Sequence, residues 1–165
     1  MTSYEKFIFD ILLEVCQVLV DEWGLKMFID SHAARVYGRG IDDAPVAGAF
    51  MPPNNPYSPG QPVIVMFSEG MAKMVEMLAT QFPKCDPTNK THIVRIVTTT
   101  LKHEYRHYQQ WKWLCDHGRE EMWAPLTKTS DYYGDPLEYD ANAYMRNREA
   151  DLDSVMEYAL DRLAG

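Results

Sequence analysis

The period of the apolar positions changes twice along the chain. Near the start, Ile8, Leu12, Val15 and Leu19 recur at steps of three and four, the spacing of a helix with one core-facing side. Thr2-Ser3-Tyr4-Glu5 precedes them and Gly24 follows. This predicts a helix opened by a capping box, running to Glu22 or Trp23 and ended by glycine. From Leu25 to Ser68 the helical period disappears. Short apolar stretches at Lys26 to Ile29, Ala34 to Tyr37, Val46 to Met51 and Val63 to Phe67 are divided by turn formers, including Gly38, Gly40 and Pro59-Gly60. They predict a small sheet of three or four strands. Residues 52–61 hold four prolines in ten positions, which makes this loop semi-rigid.

The helical period then returns. Ser68 or Glu69 opens a helix to Gln81, with Met71, Met74 and Met77 along one side as flexible core filler. Pro83 and Pro87 interrupt the chain. Asn89 or Thr91 caps a long helix from about His92 to Cys115. Its stripe of Ile93, Ile96, Thr100, His103, His107, Trp111 and Leu114 runs at steps of three and four. Asp135-Pro136-Leu137-Glu138 opens a last helical region, residues 136–164, with a break near Asn147. The order of helix, strands and three further helical segments predicts an α+β fold, and 165 residues suit a single domain, 1–165.

Composition narrows the function classes. Apolar residues make up 46% and charged residues 24%, which excludes a disordered tail and a collagen-like repeat. The formal charge of −8 repels phosphate backbones and anionic lipid, so neither nucleic acid nor a membrane surface is an expected partner. Three cysteines, an odd number with no CxxC, predict free thiols in a reducing cytoplasm. The apolar run Phe7 to Val20 carries Asp10 and Glu14 and has neither a basic start nor a small-residue cleavage site. It reads as an amphipathic helix rather than a secretory signal or a membrane span.

The chemistry lies in His103-Glu104-Tyr105-Arg106-His107, an HExxH pattern inside the predicted long helix. Residues i and i+4 share a helix face one turn apart, so both imidazoles can reach one ion. Zinc accepts neutral imidazole nitrogen at about 2.0–2.1 Å. Glu104 leans to the same side without ligating and can take a proton from a water that the ion activates. Two histidines and a glutamate on a buried face are costly unless something compensates them, and a metal does so most simply.

A catalytic zinc needs three protein ligands and one open position. Cys115 lies eight residues beyond His107, about 12 Å along a continuous helix, so neither it nor His117 can meet the same ion. His32 and His92 have no supporting motif. Glu138 is the better third candidate. It also has a local reading as the third residue of an acidic capping box behind Asp135 and Pro136. Ala141 and Ala143 favour the ligand reading, because small residues let this helix approach the long one. Asp140 and Asn142 would then sit close enough to orient a ligating histidine. For the stabiliser of an oxyanion, Tyr133, Tyr132 and Arg106 are candidates.

HExxH followed some thirty residues later by a helix bearing Glu-x-x-Ala-Asn resembles the gluzincin clan. The chain is most similar to compact bacterial and phage metallopeptidases of the ImmA/IrrE type, and more loosely to SprT-like domains. The stretch Ala47-Gly48-Ala49-Phe50 to Val63-Ile64-Val65-Met66 resembles the strands before the active-site helix in that group. The resemblance implies a zincin-like fold and one Zn2+ per chain, with His103, His107 and Glu138 as ligands and Glu104 as catalytic base. It implies a peptide or protein substrate, which an edge strand among residues 46–67 would hold in extended form by strand addition. Tyr144-Met145 departs from the group's usual Phe-Ala, and neither a helix-turn-helix nor a zinc ribbon is present. Two other functions fit the same residues: a zinc-binding interaction module without turnover, and an amidase acting on cell-wall peptide.

Overall fold

The computed structural model describes residues 1–32, 45–128 and 134–165. These residues form two compact units, Met1–Leu101 and Lys102–Gly165, each described by itself. No helix among them is long and apolar enough to cross a membrane. Cys16 is buried, Cys85 and Cys115 are half-buried, and all three are free.

In the first unit, the capping box at Thr2 forms as expected. The Thr2 hydroxyl accepts from the Glu5 amide at 3.1 Å, and the Glu5 carboxylate accepts from the Thr2 amide at 2.9 Å. Helix α1 runs Ser3–Trp23 and ends at Gly24, whose φ of 62° is the left-handed conformation glycine adopts without strain. Its buried face is Ile8, Ile11, Leu12 and Cys16. Val15 and Leu19, expected in that face, are only half-buried. Each fully buried Ile or Leu here contributes about 1.5–3 kcal/mol.

Strands β1 (Lys26–Asp30), β2 (Gly48–Met51) and β3 (Val63–Phe67) form a sheet in the order β1-β3-β2. β1 runs parallel to β3, with Phe28 opposite Val65. β2 runs antiparallel, with Phe50 opposite Ile64. All five residues of β3 are buried, which explains its unbroken apolar run: a central strand covered on both faces has no reason to alternate. The fourth candidate strand, Ala34 to Tyr37, lies outside the described residues. The loop over 52–61 is closed by one side chain. Asn55 donates to the carbonyls of Pro52 and Gln61, both at 2.8 Å, and its Oδ1 accepts from the amides of Tyr57 and Ser58. Proline has no N–H to donate, so the buried carboxamide supplies the missing donors.

Helix α2 (Ser68–Gln81) follows β3 without a connecting residue. The methionine row is not its core face. Met71 is fully buried, Met74 is half-buried and Met77 is 42% exposed. Steps of three fall short of the helical repeat of 3.6, so the row drifts off the face that Met71, Ala72 and Val75 define. Gly70 meets the chain preceding β2 closely: a Cβ there would stand 1.7 Å from the Val46 carbonyl oxygen. Alanine in an open helix gains up to about 1 kcal/mol over glycine. At this position the sign should reverse, and Gly70→Ala is expected to cost about 1–3 kcal/mol, read as a lower denaturant midpoint.

Helix α3 (Lys90–Asp116) has 27 residues. Its cap is Asn89, whose Oδ1 accepts from the amides of Thr91 and His92. In the first unit its buried residues are Ile93, Val97 and Leu101, so Ile96 and Thr100 do not belong to the core stripe. In the second unit the buried surface widens to include His103, Glu104, Arg106, His107 and Gln110, then Trp113 and Leu114. Trp111 is half-buried. Behind them come a short 3-10 turn, Glu120–Met122, and helices α4 (Trp123–Thr127), α5 (Pro136–Met145) and α6 (Leu152–Ala164). Asn147, at φ 58°, turns the chain between α5 and α6. Trp113, Leu114, Leu126, Leu137, Met156 and Leu160 form the core of this unit. The fold is α+β, with six helices and a small mixed sheet among the described residues.

Candidate metal centre

The site is built from two helices of the second unit. On α3, the helical repeat sets the His103 and His107 rings edge to face, with centroids 4.7 Å apart and Nε2 atoms 3.1 Å apart. On α5, the Asp135 side chain caps the helix by accepting from the Leu137 amide at 2.8 Å, and Pro136 occupies the first turn. Asp135 therefore caps as expected, but Glu138 does not complete a capping box. Its carboxylate turns to the histidines, with Oε2 3.1 Å from His103 Nε2 and Oε1 3.2 Å from His107 Nε2. Glu104 Oε1 lies 3.9 Å from His103 Nε2 and is equally buried.

These distances allow a test of fit. Ligands at about 2.0–2.1 Å around a tetrahedral ion lie about 3.3 Å from one another. The imidazole nitrogens are 3.1 Å apart, near that edge length, and Glu138 reaches them with different oxygens, Oε2 to His103 at 3.1 Å and Oε1 to His107 at 3.2 Å. Glu138 Oε2 is buried and has no hydrogen-bond partner, so its approach to His103 is a charge contact without the angle of a hydrogen bond. A buried carboxylate oxygen in that state wants a cation. Among the described residues, His103, His107 and Glu138 are the one group of three or more such donors that could hold an ion. Two imidazoles and one carboxylate are a donor set that suits zinc.

Electrostatics agree with the geometry. Burial disfavours a charged His107, but the bond to Glu138 and the charges of Glu104 and Glu138 outweigh it and push the imidazole up to about 9. Burial likewise opposes ionisation of Glu138, yet its contacts with both histidines hold the carboxyl well below the usual carboxylate range. The cluster thus retains a proton where a metal would sit. Zinc uptake is expected to expel it, so affinity should rise with pH until about 9. Calorimetry in buffers of different ionisation enthalpy counts the released protons, and a count of zero below that pH would contradict the arrangement.

Around these three side chains lies a buried polar network. Gln110 Oε1 is 2.8 Å from His107 Nδ1, and Gln110 Nε2 donates to the Leu137 carbonyl at 3.0 Å and to Asp140 Oδ2 at 2.8 Å. Arg106 holds Asp140 in a fork, Nε to Oδ2 at 2.7 Å and Nη2 to Oδ1 at 3.2 Å. Asp140 is therefore close to the site, but it reaches His107 through Gln110 rather than directly. Asn142 is half-buried and hydrogen-bonds neither histidine. Ala141 is fully buried and Ala143 half-buried, and the long side chains of this network join the two helices.

The Arg106 guanidinium is turned to partners other than the site. Arg106 is 2% exposed, and its guanidinium is committed to Asp140, Gln109 and the Ala150 carbonyl. Tyr132 and Tyr133 lie outside the described residues. Cys115 and His117 stay out of the site, as the length of the helix requires, and His117 stacks on Trp113 at 3.8 Å. His32 pairs with Glu69, and His92 accepts from the Asp86 amide. Sequence reasoning missed Gln110. Its signal was its place three residues after His107, one turn on along the same face.

Comparison with protein-family models finds no match, and comparisons with curated proteins and with solved structures find none either.

Proposed function

We propose that the chain is a zinc-dependent metallopeptidase of the compact gluzincin kind, similar to ImmA/IrrE-type domains. The observation that carries this reading is the convergence of His103, His107 and Glu138 with Glu104 beside them. When bound, zinc would supply a Lewis acid that acidifies water and polarises a peptide carbonyl. His103, His107 and Glu138 would hold it. Glu104 accepts a proton from the water as its oxygen bonds to the carbonyl carbon. As the C–N bond breaks, Glu104 returns that proton to the leaving nitrogen, and two neutral products result. Burial of Glu104 keeps bulk water from competing for the proton.

The substrate would be a peptide or protein in extended form. The test is hydrolysis of a peptide library by zinc-reconstituted protein, with and without chelator. Cleavage that stops with chelator and returns with zinc supports the reading. One zinc per chain with no cleavage of any peptide would favour a binding module, and no zinc after reconstitution would end both.

A further inference from the structure

The polar network beside the site has a forced direction, and that direction bears on which nitrogen of His107 meets the metal. Arg106 has donors only and keeps its charge, so Asp140 must accept from it. The Gln110 carboxamide has one acceptor atom and one donor group. One of its ends faces the Leu137 carbonyl and the Asp140 carboxylate, both acceptors. That end must be the NH2 group. The opposite end, 2.8 Å from His107 Nδ1, must then be the oxygen. The carboxamide orientation follows from its partners, with no choice left between nitrogen and oxygen.

We propose that Gln110 is a positioning residue that locks His107 in the tautomer with its proton on Nδ1, leaving the Nε2 lone pair for the metal, with Arg106 and Asp140 as the anchor of the lock. The inference rests on the metal-centre reading above and adds what selects the ligating atom. The order of donation is Arg106 to Asp140, Gln110 to Asp140, and His107 to Gln110. Gln110 and Asp140 are 0% and 3% exposed, so water does not offer an alternative partner. Arg106 also donates to the Ala150 carbonyl at 2.9 Å, which ties the anchor to the segment between α5 and α6. A buried arginine–aspartate pair is a poor source of stability in itself. A role in fixing the polarity of the chain of bonds accounts for its presence here.

The experiment uses the full chain and zinc. In zinc-loaded wild type, long-range proton–nitrogen correlation NMR should find His107 bound through Nε2, with a slowly exchanging proton on Nδ1. Binding through Nδ1 overturns the proposal. Gln110→Leu keeps the size and removes the acceptor. It is expected to lose the slow exchange and weaken zinc about 10–100-fold in competition with a chromophoric chelator. Unchanged affinity in that variant overturns the positioning role alone, whereas a wild type that binds no zinc overturns the metal centre and the proposal with it. Trp113→Phe removes a hydrogen bond to Asp153 in the same unit without touching His107. It should destabilise the fold and leave zinc affinity unchanged; a loss equal to that of Gln110→Leu would reduce the effect to general destabilisation and overturn the proposal. If Gln110→Leu fails to fold, the wild-type spectrum decides.

Discussion

Glu104→Gln is expected to retain one zinc per chain and the wild-type fold while losing about 10²–10⁴-fold in turnover. The amide has nearly the shape of the carboxylate, so the packing around this buried side chain survives. It cannot accept a proton, so the water is no longer deprotonated as it attacks and the leaving nitrogen receives nothing. The proposed ligands His103, His107 and Glu138 are untouched. Metal analysis and peptide hydrolysis on the same sample separate the two properties. A variant with near-normal turnover would remove Glu104 from the base role. A variant that loses zinc would show that Glu104 holds the metal centre together, which its 3.9 Å distance from His103 does not suggest.

Glu138→Gln should have the second large effect, this time on the metal. A neutral amide is a far weaker partner for zinc than a carboxylate, so occupancy should collapse. At free zinc 100 times Kd the wild type gains about 2.7 kcal/mol from binding, and the variant should lose that increment. The capping function is not at risk, because the Asp135 side chain supplies the cap. The metal-free protein should also respond. His107 is pushed up to about 9 in the fold, in part by Glu138. Protonation of His107 therefore stabilises the fold below its ordinary value of about 6.5, and this contribution fades as pH rises through about 9. Glu138 acts with opposite sign: its stabilisation is present above about 4.5 and lost as pH falls further. Between these limits the metal-free variant should melt below metal-free wild type, with the gap closing as pH approaches about 9. Thermal melts across pH, with chelator and with zinc, measure both effects. Equal zinc occupancy in variant and wild type would return Glu138 to a structural role.

How far the site was legible before the fold was known depended on sequence distance. His103 and His107 are four residues apart, and the helix alone brings them to one face. Glu138 had two readings on local grounds, cap or ligand, because both need a glutamate in the first turn. Only the placement of α5 beside α3 sends its carboxylate to the histidines. Arg106 looked available as a charged residue inside the motif, and Asn142 looked near enough to assist. The first is spent on Asp140, 34 residues away in sequence, and the second makes no bond to the site. Local pattern cannot report such pairings, since nothing in either helix depends on them.

The chain's own order of residues determined what short-range forces decide. The Thr2–Glu5 capping box, the stop at Gly24 and the Asp135-Pro136 helix opening all follow from neighbours within a turn. Tertiary structure decided which side of each helix became core. Met77 left the core of α2 and Val97 and Leu101 entered that of α3, because burial depends on what packs against a face and not on its period alone. It also decided the polarity of the Arg106–Asp140–Gln110–His107 chain. That chain exists only where two helices place a donor with no alternative opposite an acceptor with none, inside a space that excludes water.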